Sequence, residues 1–407
     1  MIKIDKFKST YIEVIFSSEI KKETITLSNF LSTILTYSTK TYNTKMNFSK
    51  KLEDLYAASI FANSYRLGRT FNIDFNMRVL NDKYTENGLF EQSIDFLNDI
   101  LFNPNVKNNK FDKDSFIIAK NTEKSQIERF KEDQRAYSAL KILELYDSEE
   151  PFSYNLKGYM EDLNKINQTN LYDFYKEFIK NNNIDVFVLG DIDFDYVEKV
   201  FIDKLKVPCV LEKETIFTID AKKHREQRKE VIESDNTNQA KLAIACSLEN
   251  LTKYEKDFVL NLYNIILGGS SDSKFFKNIR EKFSLCYYVS SCANKLDNIL
   301  TIFSGINKEN YSKMMILIEK EMKDMIDGKF TDEDIEKAKK YYLSALEEIE
   351  DNPNQIIASY YAIDKLNVLG IEERKKQIVK VTKKDIMLLA NKVFIDTVFL
   401  LGGDKKW

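Results

Sequence analysis

The stretch Leu267–Ser290, LGGSSDSKFFKNIREKFSLCYYVS, changes character twice along its length. A glycine pair, Gly268 and Gly269, leads through small polar residues into a short helical pattern. In that pattern Phe275, Phe276 and Ile279 form an apolar side, and Lys277, Arg280 and Lys282 are interleaved with it. Leu285–Val289 then turns strand-like, rich in aromatic and β-branched residues. Arg280 and Tyr287 lie on either side of this helix-to-strand junction and can converge on one site. Arginine is scarce, nine of the 61 basic residues. A guanidinium offers five fixed donors and no acceptor, which suits it to gripping carbonyl or carboxylate oxygens. An arginine in a mixed helix is also commonly a solvated charge, and a tyrosine in a strand is commonly core. The junction alone leaves both readings open.

Outward from this junction, the second half follows a fixed order. Ala240–Ser247 reads as a strand, Tyr254–Leu267 as a helix and Ile299–Gly305 as a strand. Thr331–Glu350 is a long charged helix broken at Asn352-Pro353, Asp385–Phe394 a helix and Thr397–Leu401 a strand. The first half runs through the same order. Thr10–Phe16 is a strand, Thr24–Tyr37 a helix and Phe48–Ala62 a second helix. Phe71–Val79 alternates as a half-buried strand should. Leu89–Phe102 and Asp112 to about Tyr146 are helices, followed by a helix at Asn170–Ile179 and a strand at Ile184–Leu189. The repeat is clearest in DVFVLGD (Asp185–Asp191) against TVFLLGG (Thr397–Gly403). A period this long indicates a duplicated α/β domain, not a solenoid. The lysine- and glutamate-rich stretch 212–238 has little apolar periodicity and reads as the linker between domains 1–211 and 239–407.

Composition excludes several classes of function. The 407 residues are 43% hydrophobic and 31% charged with net charge −3, a balance suited to globular domains and not to nucleic acid. No apolar run is long enough to span a bilayer, and the N-terminus lacks the apolar core and cleavage site of a signal peptide. The four cysteines (Cys209, Cys246, Cys286, Cys292) form no C-x-x-C pair and read as buried free thiols, so a cytoplasmic location is expected. The single histidine, His224, lies in AKKHREQRKE and reads as a solvated linker residue. One histidine cannot supply the two imidazoles of most hydrolytic zinc sites. No nucleophile elbow, Walker loop or dinucleotide fingerprint is present, and Gly268-Gly269-Ser270 lacks the Lys-Ser/Thr pair of a phosphate loop.

The pattern G-G-S-x-x-S-x-x-F-x-x-I-R-E-K-x-x-L-x-Y, in the second of two tandem units, resembles the insulinase/pitrilysin peptidase family, the inverzincins. The likeness covers nearly the whole chain. LEDLYAASI (Leu52–Ile60), NDKYTENGLF (Asn81–Phe90) and SEEPFSYNLKGYMEDLNKI (Ser148–Ile166) bring it nearest to a non-catalytic bacterial subgroup named for association with elongation factor P 5-aminopentanol modification. The resemblance implies an α+β architecture of two homologous α/β-roll domains. Each would be a mixed, mainly antiparallel sheet with helices on one face, and together they would form half of a clamshell. Active members carry H-x-x-E-H on the first long helix, with a distal glutamate completing the zinc site. Aligned on that motif, Asn29 and Thr33 replace the histidines and Ser32 the general base, and the distal glutamate should fall near Ile117–Ala119, where no carboxylate stands. The resemblance therefore implies no zinc in this chain. It also assigns Arg280 and Tyr287 to the pair that, in active relatives, helps hold the peptide at the metal.

From this follows the expectation of a catalytically inactive subunit of a heterodimeric zinc peptidase. Its partner would be an H-x-x-E-H subunit that brings the zinc, and its ligand a short peptide or unfolded segment gripped by Arg280, Tyr287 and exposed edge-strand backbone. No nucleic-acid or membrane partner is expected. The alternative is a non-catalytic peptide-binding or scaffold protein, homodimeric, with no peptidase partner.

Overall fold

The first sheet is built from strands with opposite side-chain habits on their two faces. In chain order the first half runs β1 (Ile2–Lys3), β2 (Ser9–Glu19), α1 (Lys22–Leu35), α2 (Lys45–Asp54), β3 (Ser59–Leu67), β4 (Thr70–Leu80) and α3 (Leu89–Phe102). A small hairpin, β5 (Val106–Lys107) and β6 (Lys110–Phe111), precedes α4 (Lys113–Glu132) and α5 (Gln134–Tyr146). Then come α6 (Met160–Lys165), α7 (Gln168–Asn181), β7 (Asn183–Gly190) and α8 (Phe194–Lys204). This computed structural model describes residues 1–208, 214–235 and 239–402. Cys209, Gly403 and the 211/212 boundary lie outside the described residues.

The strands order as β1-β7-β2-β4-β3, antiparallel except for the β1–β7 pair. Phe71, Ile73, Phe75 and Met77 of β4 point to the helical side, where Phe16 meets Phe75 at 5.8 Å and Phe178 of α7 at 4.9 Å. The alternation expected of β4 is present, but the strand is not half-buried. Thr70, Asn72, Asp74 and Asn76, on its other face, are buried too. Glu13 of β2 shares that polar face. Burial, with the Asp74 carboxylate beside it, pushes Glu13 up to about 8. Burial also raises Asp74, against the stabilising donors of Asn76 and Asn63. The helix expected over Phe48–Ala62 stops at Asp54. Tyr56 and Ala57 take left-handed backbone (φ 57° at each), and the chain turns into edge strand β3.

The second half repeats the plan. It comprises β8 (Lys229–Glu233), β9 (Ala240–Leu248), and a mixed helix of π-helical Glu255–Val259, α9 (Leu260–Asn264) and π-helical Ile265–Gly269. A π-helical Phe275–Lys282, β10 (Cys286–Asn294) and β11 (Ile299–Ile306) follow. The chain ends in α10 (Tyr311–Ile326), α11 (Asp332–Ile349), α12 (Pro353–Leu366), α13 (Ile371–Ile378), α14 (Lys383–Ala390) and β12 (Val393–Leu401). Phe394, read as helical, is in β12, because α14 ends at Ala390. The order β10-β11-β9-β12-β8 matches β3-β4-β2-β7-β1 strand for strand, including one parallel pair at the end. Leu242, Ile244, Ile302 and Leu400 form a core with Ile279, Ile318 and Leu389 of the helical layer.

The compact units are not contiguous in sequence. One comprises residues 1–130 and 155–217, the other 131–154 and 218–407. The long helix expected from Asp112 to Tyr146 is two helices, broken at Asp133, whose side chain caps α5. α5 packs on β9 and β12. There Ile142 and Tyr146 cluster with Ala243, Ala245 and Phe399.

The described part of the 212–238 stretch is built into the second unit and is no free tether. β8 pairs with β12, and Ile219 is buried, with its N–H 2.7 Å from the Leu296 carbonyl. Arg225 forms an ion pair with fully buried Asp396 and donates to the Tyr146 carbonyl at 2.9 Å. His224 is likewise not a solvated residue. Its Nδ1 lies 2.7 Å from the Glu249 carboxylate, and its ring stacks on Phe394 at 4.2 Å.

Candidate functional site

Local packing fixes the helix-to-strand junction. A Cβ on Gly268 would lie 2.6 Å from Phe275 Cδ2 and 2.9 Å from the Ser291 amide nitrogen, so glycine lets the preceding helix end close against β10. Phe275 and Ile279 are fully buried and anchor the π-helical turns. Ser284, at φ 52°, reverses the chain, and the Leu285 amide donates to the Ile279 carbonyl at 3.3 Å.

This frame presents Arg280 and Tyr287 outward. Arg280 is exposed, its guanidinium 4.8 Å from the Phe276 ring centroid. Among the described residues it forms no side-chain hydrogen bond or ion pair. Tyr287 is 60% exposed, and its hydroxyl likewise finds no partner among the described residues. It sits where the β10–β11 register slips. Cys286 pairs with Ile306 and Tyr288 with Gly305, which leaves Tyr287 as the extra residue of a β-bulge. A bulge re-aims a side chain at a strand end. Tyr288 instead faces α5, with the Arg135 guanidinium 4.5 Å from its ring centroid.

The aligned zinc motif has a different fate. Asn29, Ser32 and Thr33 lie on α1, and each is held by its own chain. Asn29 Nδ2 donates to the Leu156 carbonyl at 2.7 Å, and Ser32 Oγ donates to the Asn29 carbonyl at 2.8 Å. Thr33 Oγ1 donates to Glu123 at 2.5 Å. Tyr159 N–H donates to Thr26 Oγ1 at 3.0 Å, fixing the Leu156–Tyr159 segment along α1.

Ile117–Ala119 holds no carboxylate, as read from the sequence, but Glu123, which the sequence reading does not name, lies further along α4. The buried stripe of α4 runs through Phe116, Ala119, Glu123 and Ile127, so the carboxylate stands one turn beyond Ala119 on the same side. Burial raises its pKa, opposed by the Thr33 hydroxyl and by Lys157. This donor set does not fit zinc. It offers one carboxylate already engaged by a hydroxyl and one amide oxygen, Asn29 Oδ1, that is buried without a partner among the described residues. Among the described residues, no three His, Cys, Asp or Glu side chains gather as a metal site. No described helix is long and apolar enough to cross a membrane.

The two sheet-and-helix units, with matching strand orders, define a two-domain α+β fold of the insulinase type. Comparisons with known proteins agree. A family profile described as "Peptidase M16 inactive domain" matches residues 165–342. A Bacillus subtilis (strain 168) protein named "Probable inactive metalloprotease YmfF" is 27% identical over 99% of this chain and 95% of its own length. Among solved structures, a conserved protein from Enterococcus faecalis V583 superposes with a TM-score of 0.93 at 25% identity, covering 100% of this chain and 96% of that one. A peptidase M16 inactive domain from Pseudomonas fluorescens gives 0.79 at 14% identity, covering 99% and 95%, and shares the fold. The chain is thus similar over nearly its whole length to a protein named as an inactive metalloprotease, and over residues 165–342 to the M16 inactive domain.

Proposed function

We propose that this chain is the non-catalytic subunit of a heterodimeric zinc peptidase, supplying Arg280 and Tyr287 to the peptide held at a partner's H-x-x-E-H site. The observation that carries the reading is the contrast between its two motifs. Asn29, Ser32 and Thr33 are tied into intrachain hydrogen bonds, whereas Arg280 and Tyr287 stand exposed with their polar ends unpaired among the described residues. A guanidinium and a phenol aimed at a peptide carbonyl stabilise charge that develops there, provided that the surrounding frame holds them. The buried anchors Phe275 and Ile279 and the bulge at Tyr287 supply that frame. Edge strand β10 adds backbone donors and acceptors on which an extended peptide can pair.

The test is co-expression with an H-x-x-E-H subunit from the same genome, followed by size exclusion and a quenched-peptide assay of each chain alone and together. Cleavage only by the mixture is expected. Arg280→Ala with Tyr287→Phe should lower kcat/KM by about 10²–10³. Full activity of the doubly substituted pair would remove the role assigned here. A scaffold or homodimeric binding role would appear as peptide binding with no complex and no cleavage.

A further inference from the structure

A second cationic feature lies on the sheet of the second unit. Tyr288, Gly305 and Lys241 stand in one row across β10, β11 and β9. Residues in register share a face of the sheet. Lys241 shares its face with Ala243 and Ala245, the residues under α5. Arg135, in the first turn of α5, lays its guanidinium 4.5 Å from the Tyr288 ring centroid. The middle of the row has to be glycine. A Cβ on Gly305 would lie 2.6 Å from Tyr288 Cε1 and 2.8 Å from Gln239 Cδ. The tyrosine ring therefore leans over Gly305 toward the strand that carries Lys241, whose Nζ donates to Gln239 Oε1 at 2.7 Å.

The charges in this row are not balanced. Neither Arg135 nor Lys241 has an ion pair among the described residues. Neighbours on α5 do engage acids: Gln134 donates to Asp235 at 2.9 Å and Tyr137 to Glu233 at 3.0 Å. Asp133 spends an oxygen on the backbone amides of Arg135 and Ala136. Burial and the Arg135 charge hold Lys241 below the usual lysine range, with Asp133 opposing. A chain with 64 acidic residues could place a carboxylate between two cations. Leaving the two opposed costs stability, and an anionic ligand would recover it.

We propose that Arg135 and Lys241, with Tyr288 as their platform, form a carboxylate-binding subsite next to Tyr287. It would select peptides that carry an acidic side chain or a free C-terminal carboxylate. The subsite rests on the peptide-gripping role proposed above. Arginine supplies the planar fork that matches a carboxylate, and lysine adds a point charge.

The test is fluorescence anisotropy on the purified chain with short labelled Thr-Val peptides, one with a central Glu and one with Gln, each with a free or an amidated C-terminus. A carboxylate should tighten binding by about tenfold over its neutral counterpart. Dependence on Glu identifies a side chain as the ligand, and dependence on the free terminus identifies the C-terminus. Arg135→Gln with Lys241→Gln should erase the difference between charged and neutral peptides, and should raise Tm because the two opposed charges are removed. Equal affinities for charged and neutral peptides, or discrimination that survives the double substitution, overturn the subsite alone. If no peptide binds, the subsite and the peptide-gripping role fall together.

Discussion

Replacing Ile142 by alanine should destabilise the second unit, although Ile142 lies in the first half of the sequence. Ile142 is fully buried on α5 and clusters with Ala243, Ala245 and Phe399 of the second sheet. The substitution removes about three carbons, worth ~2.4 kcal/mol at about 0.8 kcal/mol per methylene. A residual cavity of roughly 50 Å³ adds ~1.2 kcal/mol. The sum of ~3.6 kcal/mol corresponds to about a 400-fold loss of protection for amides that exchange through opening of that unit. Hydrogen exchange read by mass spectrometry should show this loss in β9 and β12 and leave β2 and β4 unchanged. Ile127→Ala, at a fully buried position of α4 in the first unit, should do the reverse. If Ile142→Ala instead exposes β2 and β4, or leaves β9 and β12 protected, the assignment of residues 131–154 to the second unit is wrong.

Other predictions follow from single groups. Arg225→Ala leaves the fully buried Asp396 without its ion-pair partner and should cost about 3–5 kcal/mol in urea melts, against little for exposed Arg280→Ala. Glu13 is protonated in the folded state up to about pH 8, but unfolded glutamate ionises above about pH 4.3. The folded state then holds the extra proton, so this group's contribution to stability is full at low pH and declines as pH rises between those values. Glu13→Gln should flatten that slope in melts taken across the window, and an unchanged slope would exclude Glu13 as its source. A modest molar excess of zinc should leave Tm within about 1 °C, whereas a rise that grows with zinc concentration would show a bound metal.

Much of the fold is legible in the sequence because each unit must bury one apolar face of a sheet under helices, and that requirement writes period-two and helical patterns into the chain. The duplicated order, α3 to the residue, and the strands at β2, β4, β7, β9, β11 and β12 all show it. What stays hidden depends on long-range partners. β8 has too few apolar residues to read as a strand, yet it pairs in parallel with β12, as β1 pairs with β7. His224 and Arg225 look solvated among lysines until Glu249, Phe394 and Asp396 meet them across the fold. At the junction, the sequence places Arg280 and Tyr287 on a helix end and a strand start. It carries no sign of the bulge that turns Tyr287 outward, since a bulge is set by the pairing partner. The first unit has a corresponding turn at Tyr56 and Ala57. Left-handed backbone at two non-glycine residues leaves no mark in the sequence there, so the helical pattern reads past Asp54 to Ala62, inside β3.

Glu123 ties α4 to α1 through a part-buried hydrogen bond. A buried carboxylate is costly, and burial raises the Glu123 pKa, with the Thr33 hydroxyl and the Lys157 charge opposing. The Thr33 hydroxyl offsets part of that cost by donating to it, from the very position that the alignment gives to a zinc-binding histidine. The hydrogen bond joins α1 to α4 and so cross-links the two helices. Thr33→Val should therefore destabilise the first unit by about 1–3 kcal/mol and raise the Glu123 pKa further, because a buried acceptor is left without its donor. Valine has nearly the shape of threonine, so packing changes little, and the loss reads the hydrogen bond itself. Pairing Thr33→Val with Glu123→Leu should recover much of that stability, since the uncompensated acid is then gone as well. A single substitution without effect would mean that α1 and α4 are held by packing alone.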